Sequence, residues 1–595
     1  MPDAPSNRWR HLLFPFLEWL GTYRVSFLQN DALAGLTVAV VLIPQSMAYA
    51  MLAGLPPVYG LYAAAVTPMV AALWGSLRQL ATGPIAIMSL LVLTTLSPMA
   101  EPGSREFIEL AFLLAFMVGC FYLGIGVFRL GMVMSFISHS AVRGFTSAAA
   151  LIIISTQLPH FMGLSVARHE YVISIFIELV RKLATVHFPT LVVGLVSFAM
   201  IYGLKKINRN FPSGLLAMVL TTAAVVLLDL DQHGVAIVGK SPKGLPHPHW
   251  PLMDFRIISS FIGPAVVIGL VSFAETYSIG KAIAGETKQK VNVDQEFIGQ
   301  GLANIVGSFF QSYPVSGSFS RSAINYAAGA KTGLASVISS LIVVLALLFF
   351  TPLFTYIPRA ALAALVISAV LLLFHPRKIL ELWRENRHDG IVAVTVFVLA
   401  LLTKPDYALL IGVMASLMFF LWKTMRPRIV RISKDPDFNM FVNADLYNKP
   451  SCPQILQLRP DNAIYFANAG YTVEQLIGRL DAQTTPVKFL LLDFQAVGFI
   501  DITGIDELRT LKEEMDARGV RLAFMTLHLP VKQVFETSRL IKKLDARLFF
   551  DRREDAIAML FMLLDQSYCR QVCPHALFHE CFTIKPKPEA SSPGA

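Results

Sequence analysis

Apolar positions in the first two thirds of the chain come in long, nearly uncharged runs, over 33–53, 107–127, 190–204, 215–228, 333–350 and 409–422. Runs that are apolar on every side, not on one stripe, predict helices surrounded by hydrocarbon. Beyond about Ser433 charges recur every few residues, and short β-type runs alternate with amphipathic helical patterns. The pattern predicts a polytopic α-helical membrane protein whose last third is an α/β domain. The expected organisation is an N-terminal cytoplasmic segment over 1–32, a transmembrane domain over 33–424, a linker over 425–452, the α/β domain over 453–567 and a Cys/His-containing, disordered tail over 568–595.

Basic loops used as parity markers give about fourteen membrane elements, several too short to cross a ~30 Å hydrocarbon core as straight helices. They divide into two halves joined by a Pro/Gly/His-rich loop over 231–250. Each half has one short segment entered through small residues, Ala81-Thr82-Gly83-Pro84 and Pro314-Val315-Ser316-Gly317-Ser318. Each also has an amphipathic helix before its last helix pair, over 171–184 and 377–387, and parity places these two on opposite sides of the membrane. Interrupted segments at corresponding positions of two halves point to an inverted repeat with a midplane site.

Composition sharpens this picture. The 595 residues are 55% apolar and only 15% charged, which excludes an ordinary soluble enzyme. The net charge of +10 is distributed by topology and not gathered for nucleic acid: Arg8, Arg10 and Arg24, then Lys205, Lys206 and Arg209, then Arg377, Lys378, Arg384 and Arg387, then Lys423, Arg426, Arg428 and Arg431. All four clusters, and both termini, are expected in the cytoplasm of a cell whose inner membrane holds the chain. No cleavable signal is read at the N-terminus. The five cysteines argue for reduced thiols.

The strongest chemical signal is Ser316-Gly317-Ser318-Phe319-Ser320-Arg321-Ser322, four hydroxyls and a guanidinium at a helix start inside an apolar region. A half-helix that begins at midplane presents unpaired N–H groups and the positive end of its dipole, which together bind an anion. Ser318 and Arg321 share a face, so the guanidinium can lie beside an oxyanion held by the hydroxyl. The facing half-helix is expected to start at Pro84, with Ile85, Ala86 and Ser89 as a small wall. The bland alternative for Arg321 is snorkelling to the cytoplasmic surface.

Glu275 lies mid-span, where a carboxylate must be paired, protonated or facing water. That makes it the natural proton-coupling residue; the alternatives are a salt bridge to Lys281 or Arg321, or a sodium site with Thr276. Gln45 and Tyr49 fall one turn apart beside Pro44 and either line the cavity or bond to neighbouring helices.

The motifs Ile43-Pro44-Gln45-Ser46-Met47-Ala48-Tyr49, Gly54-Leu55-Pro56-Pro57-Val58-Tyr59-Gly60, Thr82-Gly83-Pro84 and Gly317-Ser318-Phe319-Ser320-Arg321-Ser322 resemble the sulfate permease (SulP) family of anion transporters over nearly the whole chain. The resemblance implies a seven-plus-seven inverted repeat with core and gate subdomains, elevator-like alternating access, a homodimer and a cytoplasmic C-terminal STAS domain. It also implies a substrate site of Gln45, Tyr49, Ile85, Ala86, Phe319, Ser320 and Arg321, with Glu275 on the eighth helix. The Gly-Ser-Phe-Ser-Arg run looks most like proton-coupled sulfate transporters; family alternatives are bicarbonate or chloride movement by sodium symport or exchange. Outside secondary transport stand an anion channel and a membrane-tethered regulator. Sulfate entering an inside-negative cell is opposed by about 2.3 kcal/mol per charge per 100 mV, so accumulation requires coupling.

In the last third the expected order is strand 455–458, strand 463–466, helix 473–480, strand 489–494, helix 503–518, strand 521–525, helix 531–538, strand 548–549 and helix 554–564. Thr503 stands where soluble STAS relatives carry a phosphorylatable serine, while Asp501 reads as a helix N-cap. Cys569, Cys573, His575, His579 and Cys581 are zinc-capable at an unusual spacing, and no metal or cofactor is assigned.

Overall fold

In the computed structural model of the chain, described over residues 14–132, 138–166, 172–207, 211–239, 244–252, 254–403, 405–435 and 440–585, two units separate at Leu417 and Met418. The first is helical. A short helix α1 (Phe16–Gly21) precedes α2 (Val25–Leu52), α3 (Pro57–Trp74), strand β1 (Thr82–Gly83) with α4 (Ala86–Leu96), α5 (Arg105–Val127), α6 (His139–Met162), the amphipathic α7 (Val172–Arg181), α8 (Phe188–Ile207) and α9 (Ser213–Leu227). The second half repeats the order: α10 (Phe255–Thr287), α11 (Val293–Phe309), strand β2 (Ser316–Gly317) with α12 (Phe319–Ala327), α13 (Leu334–Phe349), α14 (Arg359–Val370), the amphipathic α15 (Pro376–Glu385), α16 (Arg387–Leu402) and α17 (Pro405–Thr424). Among the described residues six of these helices are long and apolar enough to cross a membrane: α2, α3, α5, α6, α8 and α10. Most of the other membrane elements are shorter, from 9 residues in α12 to 17 in α11, as the interrupted apolar runs foretold.

The helices pack in two sets, α2–α5 against α10–α13 and α6–α9 against α14 and α16. Lipid offers no hydrophobic drive for this, so close backbone approach and internal hydrogen bonds must hold it. On α5 and α11 a Cβ at Gly119 would meet the Gly301 carbonyl at 2.8 Å, so only glycine permits that crossing. Two buried carboxylates act as anchors. Asp31 accepts from Lys331 N (2.7 Å), Thr332 N (3.1 Å) and Thr332 Oγ1 (2.6 Å), tying α2 to the turn before α13. Glu296 accepts from Ser76 N (2.9 Å), Leu77 N (3.1 Å), Ser76 Oγ (3.2 Å) and Gln300 Nε2 (3.2 Å), which satisfies the C-terminal side of α3. Asp31 therefore sits inside a helix that starts at Val25, eight residues before the expected boundary at 33.

The second unit is an α/β domain on a six-stranded sheet. β3 (Ile429–Asp435) and β4 (Met440–Asn443) pair antiparallel, β3 runs antiparallel to β5 (Ile455–Pro460), and β5, β6 (Phe489–Asp493), β7 (Arg521–Met525) and β8 (Phe549–Phe550) are parallel. The stretch 425–452, expected as a linker, thus supplies two strands. Burial in β3 runs two in and one out, so Ile429-Val430-Arg431-Ile432-Ser433 shows no alternation, and Arg426, Arg428 and Arg431 read as a membrane flank. The expected strand over 463–466 reduces to one bridge, Ile464 to Ile500. Leu490 and Leu492 face helices α18 (Ala469–Asp481), α19 (Ile502–Ala517) and α20 (Leu529–Thr537); Phe489 and Leu491 face α21 (Arg553–Met562) and the tail helix α22 (Gln566–Gln571). Burial on both faces is what a parallel sheet requires. The tail expected to be disordered lies, from residue 586, outside the described residues.

Candidate functional site

α4 and α12 each start inside the first unit, behind the antiparallel pair β1 and β2, whose register sets Thr82 opposite Gly317 and Gly83 opposite Ser316. Side chains lock this small ladder. Thr276 Oγ1 on α10 lies 2.9 Å from Ser316 Oγ and accepts from Gly317 N at 3.3 Å. Asn304 Oδ1 on α11 accepts from Val315 N at 2.9 Å. Ser318 N donates to Ala81 O, and Ala81 N to Ser322 Oγ, at 2.9 and 2.8 Å. The result brings the first turns of two half-helices, with their orphan N–H groups, to one place.

Arg321 fills the space between them and is fully buried, so it does not snorkel. Its Nη1 donates to Pro84 O at 2.8 Å and to Gln45 Oε1 at 3.3 Å; Nε and Nη2 are buried without a partner among the described residues. Gly83, at φ +145°, makes room: a Cβ there would stand 3.3 Å from Nη2. Pro84 is not the first helical residue. α4 begins at Ala86 with Ile85 as N-cap, and this leaves the Pro84 carbonyl free to hold the guanidinium. Ser318 is likewise occupied differently from expectation, since it is the N-cap of α12 and its Oγ accepts from Arg321 N at 3.4 Å. Gln45, Tyr49, Ile85 and Ala86 are buried around the guanidinium, whereas Phe319, 58% exposed, and Ser320 stand at the rim.

Glu275 on α10 and Tyr49 lie within electrostatic reach of Arg321. No ion pair joins Glu275 to Arg321 or Lys281 among the described residues; Lys281 instead sits 4.6 Å over the Tyr277 ring, and Glu275 Oε2 is buried without a partner. Asp31 and Glu296, by contrast, are each held by several donors. Sequence reasoning missed Tyr313, fully buried with its hydroxyl 3.3 Å from Ser89 Oγ beside the same guanidinium. Its place directly before the small-residue run was the available signal.

The geometry thus puts a buried guanidinium between the first turns of two half-helices inside a helical bundle. Residues 28–396 match the Sulfate permease family and residues 446–556 the STAS domain. The chain belongs to the sulfate permease family. It is 34% identical over 579 residues, 94% of its length and 84% of the relative's, to "Sulfate transporter 4.1, chloroplastic" of Arabidopsis thaliana. It is 33% identical over 571 residues, 92% of its length and 86% of the relative's, to "High affinity sulfate transporter 1" of Stylosanthes hamata. Among solved structures it matches SLC26A9 with TM-score 0.85 at 24% identity over 95% of both chains. It also matches the transmembrane domain of the cyanobacterial bicarbonate transporter BicA, with TM-score 0.58 at 22% identity, over 66% of this chain and 98% of that one. This sulfate permease family member is accordingly a multi-pass membrane anion transporter with a C-terminal STAS domain, and not an enzyme.

In the STAS unit Asp501 caps α19 by accepting from Gly504 N at 2.8 Å, and Thr503 is exposed in the first turn. Cys452, Cys569, Cys573 and Cys581 line one small cavity with His575. Among the described residues no three such ligands are arranged to hold a metal ion.

Proposed function

We propose that the protein takes up sulfate coupled to protons, by elevator-like alternating access. The observation that carries this reading is Arg321: a buried guanidinium with two unpaired nitrogens between two half-helix N-termini suits a compact divalent oxyanion, which accepts several N–H bonds at once. The names of the two curated relatives above, both sulfate transporters, support the same substrate. Sulfate would be bound by Nε and Nη2 of Arg321 and the first N–H groups of α4 and α12, with Gln45, Tyr49, Ile85, Ala86, Ser318, Phe319 and Ser320 shaping the site. Glu275 would load a proton as sulfate enters, which lowers the charge carried across the membrane potential.

The correspondence of helix order in the two halves supports an inverted repeat, and the two packing sets support a reading in which a core moves past a gate. We read the chain as a homodimer in a bacterial inner membrane, with both termini cytoplasmic. The test is Glu275→Gln in proteoliposomes. It is expected to abolish proton-driven accumulation of labelled sulfate while counterflow exchange continues; equal loss of both would remove Glu275 from coupling.

A further inference from the structure

A cavity of about 720 Å³ opens at the end of the helical unit where α2 begins and α3 and α5 finish. These three helices are long and apolar enough to span a membrane, and a spanning helix starts or stops at the membrane surface, so the cavity lies at the level of the lipid headgroups. Three cations line it: Arg78 beyond α3, Arg129 beyond α5 and Lys290 before α11. Among the described residues none of the three side chains makes an ion pair, a hydrogen bond or a ring contact. Two acids share the lining. Asp294 is engaged, its Oδ1 accepting from Gly131 N at 3.0 Å, and Glu18 stands on α1. Arg129 holds its place at φ +57°, just past a helix end where glycine is the usual residue, so a side chain is kept there against a steric cost.

The rim of this cavity is apolar. Phe14, Leu17 and Leu20 recur every three residues along α1 and its lead-in, so they share one face, and each is about half exposed. Val25 and Leu28 at the start of α2 continue the exposed apolar stripe. Glu18 and the buried Trp19 turn the other way into the cavity lining, and Phe16 packs on Trp74 with ring centroids 6.0 Å apart. A short helix with an apolar face bared at headgroup level lies in the plane of the interface. We propose that the cavity binds one anionic phospholipid, its phosphate among Arg78, Arg129 and Lys290 and its acyl chains along the face of Phe14, Leu17 and Leu20. The cations select a negative headgroup over a zwitterionic one, and the apolar rim selects a lipid over a free phosphate. The bound lipid ties α1 to the ends of α3 and α5 and to the turn before α11. This site is separate from the Arg321 centre and stands whichever anion is carried and whichever ion drives it.

The test is native mass spectrometry of the full chain in detergent, titrated with dioleoyl phosphatidylglycerol and, separately, with dioleoyl phosphatidylcholine. The wild type is expected to retain its first phosphatidylglycerol about tenfold or more tightly than its first phosphatidylcholine. Each cation near a headgroup is worth about fivefold, so Arg78→Gln, Arg129→Gln and Lys290→Gln together should weaken phosphatidylglycerol about a hundredfold and leave phosphatidylcholine within about twofold. Neutralising Arg377, Lys378 and Arg384 of α15 in the same way should leave both lipids within about twofold. Leu17→Ser with Leu20→Ser, which spares the cations, should weaken phosphatidylglycerol about tenfold. Equal retention of the two lipids by the wild type overturns the proposal, and that comparison needs no variant. A triple variant that binds like the wild type, or an α15 variant that loses as much, overturns the cavity as the site. Displacement of the lipid by glycerol 3-phosphate, which has the phosphate and no acyl chains, assigns the cavity to a soluble phosphate and overturns the lipid.

Discussion

A guanidinium sealed from water with no carboxylate against it is a side chain kept for use, because burying a charge without a partner is costly. Replacing Arg321 by Ala removes the two free donors and is expected to weaken sulfate by about tenfold or more, and chloride far less. Competition of unlabelled anions against labelled sulfate checks this; an unchanged preference would remove Arg321 from the site. Lysine is not an equivalent, since one ammonium cannot reach Pro84 O and Gln45 Oε1 and still present two N–H groups. Gly83→Ala adds a Cβ 3.3 Å from Nη2 at a backbone angle that disfavours side chains, and it is expected to lower sulfate affinity while leaving assembly unchanged by size-exclusion chromatography. Arg321 and Glu275 were legible in the sequence because ionisable residues in apolar runs stand out. Tyr313 was not, because aromatic residues are ordinary in membrane helices and only its place beside the guanidinium, with its hydroxyl 3.3 Å from Ser89 Oγ, singles it out.

At the scale of elements, the half-helices were legible from their small-residue entries, but the strand pair in front of them was not. A two-residue strand has no alternation to read, and its partner lies more than two hundred residues away. The same blindness applied to β3, where basic residues spoke for the membrane flank. Asp31 shows what long-range anchoring contributes. Asp31→Ala leaves two N–H groups and a hydroxyl buried without an acceptor, and a loss of about 3 kcal/mol is expected, read as a lowered unfolding temperature in detergent. An unchanged temperature would show that water or another side chain takes over. In the STAS unit, burial pushes the Cys452 thiol up to about 12, and burial likewise raises Cys569 and Cys581. The thiolate is the reactive form, so a raised value means less of it at pH 8. Alkylation of Cys452 by iodoacetamide is expected to be slower than in the denatured chain on the order of a thousandfold, by mass spectrometry of the labelled peptide. Rapid labelling in the native protein would mean that the cavity opens.

Over the whole molecule, hydropathy alone separated the membrane part from the α/β part, because hydrocarbon and water impose opposite rules on the same chain. What it could not give is which intramembrane carboxylate lacks donors, a property of tertiary pairing. Asp31 and Glu296 are fully buried and backbone N–H groups occupy both, whereas Oε2 of the half-buried Glu275 has no partner among the described residues. The most direct test of the account is accumulation of labelled sulfate in proteoliposomes under an imposed inward proton gradient and, separately, an inward sodium gradient. Accumulation above equilibrium is expected with protons, none with sodium alone, and no competition from excess bicarbonate. Sodium-driven uptake, or bicarbonate or chloride flux in place of sulfate, would contradict it.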